Sequence, residues 1–96
     1  MPGSLVRLDH VLLGLNVEDL VESLEDLLRL LQRGFIVVDS SGKSVYAILE
    51  PVVNIGVLKE DDIVVLKLTT KGCLIISVEA SVESGRISEI RYITTG

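Results

Sequence analysis

Aromatic side chains are scarce in this 96-residue chain, which has two tyrosines, one phenylalanine and no tryptophan. Because 48% of the residues are nevertheless hydrophobic, leucine, valine and isoleucine must supply almost all of the buried surface. A chain of this length has room for one aliphatic core and therefore for one domain. We expect that domain to span residues 5–96, after a disordered lead-in at residues 1–4 that contains Pro2 and Gly3.

The single cysteine, Cys73, excludes an internal disulfide and fits a reducing compartment. No apolar run approaches the ~20 residues that a membrane helix needs. Arg7, Asp9 and His10 also interrupt the layout of a signal peptide. We therefore expect a cytoplasmic protein without a membrane partner. The few amides, with one methionine and one cysteine, are typical of thermophilic proteins and predict such a source.

Basic residues are fewer than acidic ones, nine against 14, so the formal charge is −5 and the pI about 4.7. A field of this sign repels phosphate backbones and anionic lipid surfaces. Nucleic acid is therefore not an expected partner.

A long amphipathic helix is predicted from Val17 to Gln32. Asn16 is a suitable N-cap, and Gly34 stands where a left-handed C-cap residue belongs. Apolar positions recur at intervals of three and four residues and form one stripe: Val17, Leu20, Val21, Leu24, Leu27, Leu28 and Leu31. Leu30 lies beyond the edge of this stripe and is predicted to meet something other than the sheet.

Strand-like periodicity on both sides of the helix predicts an α+β fold. We expect one long helix packed on a mainly antiparallel sheet, or on a small barrel, of about five to six strands. For Leu5–Leu15 the pattern favours a strand, ended by Gly14, over the alternative of a helix turn. Residues 35–39 and 43–50 should form a hairpin, and residues 52–58 a short strand interrupted by Gly56.

The last third of the chain predicts a meander of strands at residues 62–69, 73–83 and 87–94. From Leu74 to Glu83 apolar and polar residues alternate, so this strand has one buried face. Three-residue turns at 70–72 and 84–86 keep the apolar residues of neighbouring strands on that face. The expected cross-strand pairs are Leu68–Leu74, Leu66–Ile76, Val64–Val78, Ala80–Ile90 and Val78–Tyr92 inside, and Glu79–Arg91 outside.

The outer face of this meander is predicted to carry an apolar cluster at one end, formed by Ile63, Val65 and Ile75. An exposed cluster of this kind usually has a cover. The cover would be the first hairpin curling into a barrel, the N-terminal strand, or a second subunit. Together with Leu30, these residues form the candidate interface.

Two residue types suited to catalysis occur once each. His10 stands beside Asp9, as a general base stands beside its orienting acid, but the sequence places no nucleophile near them. Cys73 follows Gly72 without a CxxC pattern or a helix N-terminus that would mark a reactive thiol. We interpret these residues as structural or solvent-exposed and expect no catalytic residues.

Metal and cofactor motifs are missing as well. Glu60, Asp61 and Asp62 do not have the alternating spacing of a calcium loop, and the glycines form no phosphate-binding motif. Glu79, Glu83 and Glu89 form either an acidic stripe for a basic partner or a solvated face. We expect no metal and no cofactor.

The order of one helix followed by about five strands is similar to that of Sm-like RNA-binding barrels, which implies nucleic-acid binding. The aromatic and Asn/Asp base-binding residues of that family cannot be placed here, and the negative charge opposes the function. The stretch from Gly34 to Ile48 (GFIVVDSSGKSVYAI) resembles the strand-turn-strand of PRC-barrel and roadblock-type modules. A generic hairpin does not identify a family, and a roadblock module lacks room for its second helix between Glu50 and Ile63.

The favoured hypothesis is a small, non-catalytic protein-binding or assembly module whose partner is a second copy of itself. One alternative is a ligand-binding regulatory domain with a pocket between helix and sheet for a small apolar or cationic molecule. The others are a small enzyme that uses His10 with Asp9 or Cys73, and an Sm-like nucleic-acid-binding barrel.

Overall fold

The computed structural model describes residues 5–38 and 45–96. Over these residues the elements are β1 (Val6–Arg7), α1 (Leu8–Leu12), α2 (Val17–Leu20), α3 (Leu24–Leu30), β2 (Phe35–Val38), β3 (Val45–Ile48), β4 (Val52–Glu60), β5 (Ile63–Thr70), β6 (Ile75–Glu83) and β7 (Arg86–Thr95). The strands form two sheets, in the orders β1-β2-β3 and β4-β5-β6-β7. Only β1 pairs in parallel. The α+β class with mainly antiparallel pairing is confirmed. The described residues nevertheless form seven strands in two sheets, not one sheet of five to six strands. Neither sheet closes in this part of the chain, so the barrel alternative is wrong.

The predicted strand Leu5–Leu15 is wrong beyond its first residues. β1 ends at Arg7, and α1 begins at once. Leu8 and Leu12 are both buried, and Val11 packs partly against the core. Their spacing of three and four residues puts all three on one helical face, a period that the alternation at residues 5–10 concealed.

The predicted long helix is divided into α2 and α3 by a turn at residues 21–23. The Ser23 hydroxyl donates a hydrogen bond to the Asp19 carbonyl oxygen at 3.0 Å, and the Ser23 amide is shared between the carbonyls of Asp19 and Leu20. Back-bonding by serine to the preceding turn bends helices. The Leu24 amide then reaches only the Val21 carbonyl, at 3.5 Å, which leaves a tightened turn in place of continuous α-helix.

The start of the helical region agrees better with the sequence. The Asn16 side chain accepts a hydrogen bond from the Glu18 amide at 2.9 Å, which confirms the N-cap. At the other end, α3 stops at Leu30 with Leu31 as its C-cap, two residues before the predicted Gln32. Gly34 has the expected positive φ, +97, but it lies after the following turn and is not the cap. In the predicted stripe, Leu24 and Leu28 are only partly buried, and Val21 is 65% exposed because it lies in the turn between the two helices. The remaining stripe residues are buried: Val17, Leu20, Leu27 and Leu31.

The first hairpin is confirmed by the antiparallel pairing of β2 with β3, which places Phe35 opposite Ile48. Its predicted turn at Ser40, Ser41 and Gly42 lies outside the described residues. β1 adds to the other side of β2 in parallel, with Val6 opposite Phe35. The predicted short strand at residues 52–58 is β4, and it continues through Gly56 to Glu60.

The meander β5-β6-β7 is confirmed, with a register that differs between its two hairpins. Between β5 and β6 the pairs are Leu68–Ile76 and Leu66–Val78, two residues away from the prediction. Cys73, at φ 68, takes the left-handed position expected of Gly72, and its amide bonds to the Thr70 carbonyl, so the loop is longer. A shift of two keeps every side chain on its predicted face.

The β6-β7 hairpin turns on Ser84 and Gly85, both with positive φ, so the loop has two residues instead of three. Register shifts beside Ser81 and Glu79 restore part of the expected pairing. Ala80 pairs with Ile90 as predicted, whereas Val78 pairs with Ile93 and Glu79 with Tyr92.

One hydrophobic cluster contains residues of the helices and of both sheets, so the three-stranded and four-stranded sheets share a core. The first helices and the edge of β7 are also joined by backbone hydrogen bonds: the Gly14 amide donates to the Ile87 carbonyl at 2.8 Å, and the Ile87 amide donates to the Leu15 carbonyl at 2.9 Å. The predicted inner face of the meander is buried, with Leu66, Ile76, Val78 and Ile90 all inaccessible or nearly so.

Candidate functional site

Within residues 5–38 and 45–96, strand β4 forms an edge of the four-stranded sheet and pairs with β5 alone. A bulge at Val53 separates Val52 from the rest of the strand, and Gln32 Nε2 donates to the Val52 carbonyl at 3.3 Å. Residues 54–60, hereafter the β4 edge segment, then pair with β5 without interruption. Within the described residues, no backbone hydrogen bond reaches this segment from its other side. A straight row of backbone donors and acceptors is therefore available there.

An apolar groove of about 300 Å³ lies beside this edge and is lined by Gly56, Val57, Leu58, Val65 and Lys67. Leu58 is 58% exposed, although its cross-strand neighbour on β5 is the apolar Val65. Gly56 pairs with Lys67 and contributes no side chain. The outer face of β4 thus presents a protruding leucine next to a gap.

The backbone does not require glycine at position 56. Its φ lies outside the left-handed region, and a Cβ atom added there would meet nothing within 4 Å. Glycine in the interior of a strand costs about 0.5–1 kcal/mol relative to alanine. Such a glycine often marks a place where another backbone or a ligand approaches closely. Nothing else in the described chain occupies the space above Gly56.

The predicted interface residues do not form one cluster. Ile63 is at the start of β5 and pairs with Ser81. Ile75, on β6, pairs with Thr69 near the end of β5, so the two isoleucines lie at opposite ends of the β5-β6 pair. The two-residue change of register explains the difference, because it moves Ile75 further from Val65. Ile75 is 44% exposed, whereas Ile63 and Val65 are partly buried.

Leu30 borders a second apolar groove, of about 240 Å³, among the three helices. Leu30 is half exposed, as its position beyond the stripe predicts. Asp26 supplies the only carboxylate of this groove, and its Oδ1 lies 3.4 Å from Arg29 Nη1 in an exposed ion pair. The lining residues are Val11, Leu15, Leu20, Ser23, Asp26, Leu27 and Leu30.

The Asp9 carboxylate lies closer to Arg7 than to His10. The guanidinium donates two hydrogen bonds to the Asp9 carboxylate, at 3.1 and 2.7 Å, whereas His10 Nε2 lies 4.0 Å from Asp9 Oδ2. Partial desolvation raises the pKa of Asp9, but the hydrogen bonds and charge of Arg7 outweigh it, so this pKa lies below its ordinary value. The hydrogen bond to Asp9 likewise raises the pKa of Arg7. His10 is exposed at the surface of α1.

Cys73 lies in the β5-β6 turn, where its thiol is exposed. Glu50 stabilises that turn: its Oε1 accepts hydrogen bonds from the Gly72 amide at 2.7 Å and from the Thr70 hydroxyl at 3.2 Å. No hydrogen bond in the described part of the chain joins Cys73 to Asp9 or His10. The structure brings Asp9 and His10 together and places Cys73 on a different element.

The acidic residues singled out in the sequence lie apart. Asp61 and Asp62 form the exposed β4-β5 turn, with Asp61 at φ 45. Glu79 Oε2 lies 3.9 Å from Arg91 Nε, so the expected outer pair is close although the backbone register differs. Over residues 5–38 and 45–96, no group of three or more His, Cys, Asp or Glu side chains has the arrangement of a metal site.

Leu58 and Gly56 are not among the residues that the sequence predicts for the interface. A glycine within an otherwise strand-like stretch was the available signal, and it was interpreted as an interruption of the strand. The same signal also predicts a continuous strand with an open position on one face.

No family model, curated protein or solved structure matches this chain. Among the described residues, no helix has both the length and the apolar character needed to cross a membrane.

Proposed function

We propose that this protein is a small, non-catalytic protein-binding or assembly module that forms homo-oligomers. The β4 edge segment carries this proposal. It combines unpaired backbone groups with the exposed Leu58 and the adjacent groove.

Edge strands in monomeric proteins are usually short or protected by proline, bulges or inward-pointing charges. Here the bulge and the Gln32 contact protect only the start of β4. Lys59 and Glu60 are charged, but they stand at the far end of the strand. The middle of the segment, at Gly56 and Leu58, has no such protection, as is typical of a strand that pairs with another chain.

Sedimentation equilibrium over a range of protein concentrations tests the proposal. We expect a reversible increase in mass, because the available surface is small and favours a weak association. A strict monomer at millimolar concentration would remove the homo-oligomer. Binding of this monomer to a different protein would not rescue the homo-oligomer proposal.

The second candidate is a ligand-binding regulatory domain, supported by the groove among the three helices. Its apolar lining and the carboxylate of Asp26 suit a small molecule with an apolar body and a cationic head. This groove lies among the helices, whereas the sequence-based hypothesis expected a pocket between helix and sheet.

A matched pair of probes tests this candidate. In a chemical-shift titration, n-butylammonium should perturb amides near Leu27 and Leu30 more strongly than n-butanol. The substitution Asp26→Asn should remove the difference between the two probes. Equal, non-saturating shifts from both probes would end the candidate. The enzyme and Sm-like hypotheses, the cytoplasmic location and the thermophilic source stay predictions from the sequence.

A further inference from the structure

We infer that the homo-oligomer is a two-fold dimer in which the β4 edge segments of two copies pair antiparallel, with Leu58 of each copy seated over Gly56 of the other. This inference rests on the proposed function and specifies its partner, surface and register. The resulting sheet would run continuously from β7 of one copy to β7 of the second.

The limits of the β4 edge segment determine the register. Its start is set by the bulge at Val53, and its end by the turn at Asp61. Complete overlap of residues 54–60 with the same residues of a second copy puts Val57 on the two-fold axis. A shift by two residues in either direction would leave backbone groups at one end of each segment without partners.

This register makes the surface self-complementary in shape. Each residue faces the one whose number brings the sum to 114, so Leu58 faces Gly56 of the second copy and Gly56 faces Leu58. The exposed leucine of one copy thereby enters the open space over the glycine of the other, beside the apolar part of Lys67. Two such contacts occur, one on each side of the axis.

Charges agree with the same register. Glu60 faces Asn54 of the second copy, so that the amide can donate to the carboxylate, and Lys59 faces Ile55. No pair of like charges stands directly opposite, an arrangement that would destabilise the ladder. Pairing centred on Lys59 instead would set two ammonium groups against each other.

The opposite edge of the sheet is less available. At the start of β7, the Ile87 amide donates to the Leu15 carbonyl, and the Ile87 and Gly85 carbonyls accept from the amides of Gly14 and Val17. An isolated bridge between Asn16 and Arg86 closes the same stretch. Register shifts at Ser88 and Arg91 interrupt the rest of β7, whereas residues 54–60 of β4 pair without interruption. A second copy therefore finds the longer regular row of backbone groups on β4.

Gly56→Val is the primary test, because the free space at this position lets the monomer accept the side chain. Valine also favours strand conformation, so the thermal unfolding of the dilute monomer should be unchanged or improved. The added side chain occupies the place of the incoming leucine, and the dimer Kd should rise by about 10- to 100-fold. The matched control is Val53→Thr in the bulge outside the paired segment, which should leave Kd unchanged.

An exchange of the two residues provides a rescue. Leu58→Gly alone removes the protruding side chain, and Gly56→Leu alone fills the space that receives it, so each single variant should weaken the dimer. The double variant Gly56→Leu with Leu58→Gly restores one leucine facing one glycine across the axis, and its Kd should return to within about threefold of the original value. A double variant as weak as the sum of the single variants would contradict the predicted facing pair.

A cross-link tests the axis directly. In a Cys73→Ser background, Val57→Cys places two thiols opposite each other at a Cα separation of about 4.5–5.5 Å, within the range of a disulfide. Mild oxidation should give a covalent dimer. Val65→Cys on β5, one strand away from the axis, should not cross-link under the same conditions.

The outcomes separate this inference from the proposed function. If sedimentation shows a dimer that Gly56→Val does not weaken and Val57→Cys does not trap, assembly stands and the β4 interface is wrong. A native chain that stays monomeric and is not trapped by Val57→Cys overturns both. A dimer that is weakened, rescued and trapped as described supports both.

Discussion

The four-stranded sheet and the N-terminal region, which comprises β1, the three helices, β2 and β3, both carry regular apolar patterns. The two regions differ in how well these patterns predict the structure. In the four-stranded sheet, β4, β5 and β6 are each followed along the chain by the strand with which they pair, after a short turn. In the N-terminal region β1 pairs with β2 across three helices, and Gly14 bonds to Ile87 near the other end of the chain. Local turns make the pattern of the sheet sufficient to place its residues, whereas the N-terminal region depends on distant partners.

The largest expected effect tests whether the two regions are separable at all. Leu66 is fully buried within the sheet and belongs to the cluster that includes Phe35 and Leu20. Leu66→Ala should lower the free energy of unfolding by about 2–5 kcal/mol. Urea unfolding followed by a probe in each region should show coincident transitions, because the core is shared. The control Val53→Ala, at a residue 54% exposed, should cost under ~0.5 kcal/mol. Two separate transitions would show that the N-terminal region is an independent unit.

A second pair of substitutions compares two glycines of the N-terminal region that both have positive φ. An added Cβ at Gly34 would collide with the Ile48 carbonyl oxygen, whereas one at Gly14 would meet nothing within 4 Å. Gly14→Ala should cost about 1–2 kcal/mol from backbone strain alone. Gly34→Ala should cost more, about 2–4 kcal/mol, because the β2-β3 hairpin must also move. Equal losses of unfolding free energy in urea would contradict the close contact at Gly34.

Glu50 tests the connection between the two sheets. Glu50 lies in the chain segment that connects β3 to β4, and its Oε1 accepts hydrogen bonds from the Thr70 hydroxyl and the Gly72 amide of the β5-β6 turn. Glu50→Ala leaves the buried Thr70 hydroxyl without this acceptor and should cost about 1–3 kcal/mol by urea unfolding. Glu50→Gln keeps an acceptor oxygen and should cost less than half as much. A glutamine variant as unstable as the alanine variant would show that the charge, and not the acceptor geometry, is required.

The smallest expected effect concerns the charge pair at the start of α1. Because Arg7 holds the pKa of Asp9 below its ordinary value of 3.8, the ionised carboxyl stabilises the fold above that pH, and this stabilisation is lost as the pH falls through the lowered pKa. Asp9→Asn should therefore be slightly less stable than the native chain at pH 6 and equal to it near pH 2. The effect is small because Arg7 is exposed. Unfolding midpoints that differ equally at both pH values would exclude ionisation of Asp9 as the cause.

Much of the four-stranded sheet could be predicted from the sequence. The alternation from Leu74 to Glu83 identifies the buried face, and the Ala80–Ile90 pair was placed correctly. The β5-β6 register was wrong by two residues because the left-handed position belongs to Cys73, a residue type that rarely adopts it. The turn held by Glu50 depends on a contact 22 residues away, which no local pattern contains.

The N-terminal region and the candidate site were less predictable. A single serine hydroxyl divides the expected helix, and the choice between strand and helix at Leu8–Leu12 depends on packing against β2. Exposure of Leu58 and the separation of Ile63 from Ile75 follow from register, which the sequence determines only through turn lengths. The sequence shows a glycine at position 56, but only the three-dimensional structure shows that the space around it is open.

The hydrogen bonds between the residues around Gly14 and the start of β7 have a consequence for synthesis. The Arg86 guanidinium donates to the Gly14 carbonyl at 3.1 Å, between residues 72 positions apart. Proteins generally begin to fold while the ribosome is still translating them. Here the segment that leaves the ribosome early must wait for β7 before its backbone groups find their final partners. Until then the nascent chain exposes the apolar faces of α1 and α2, and this interval is when a chaperone would have most to protect.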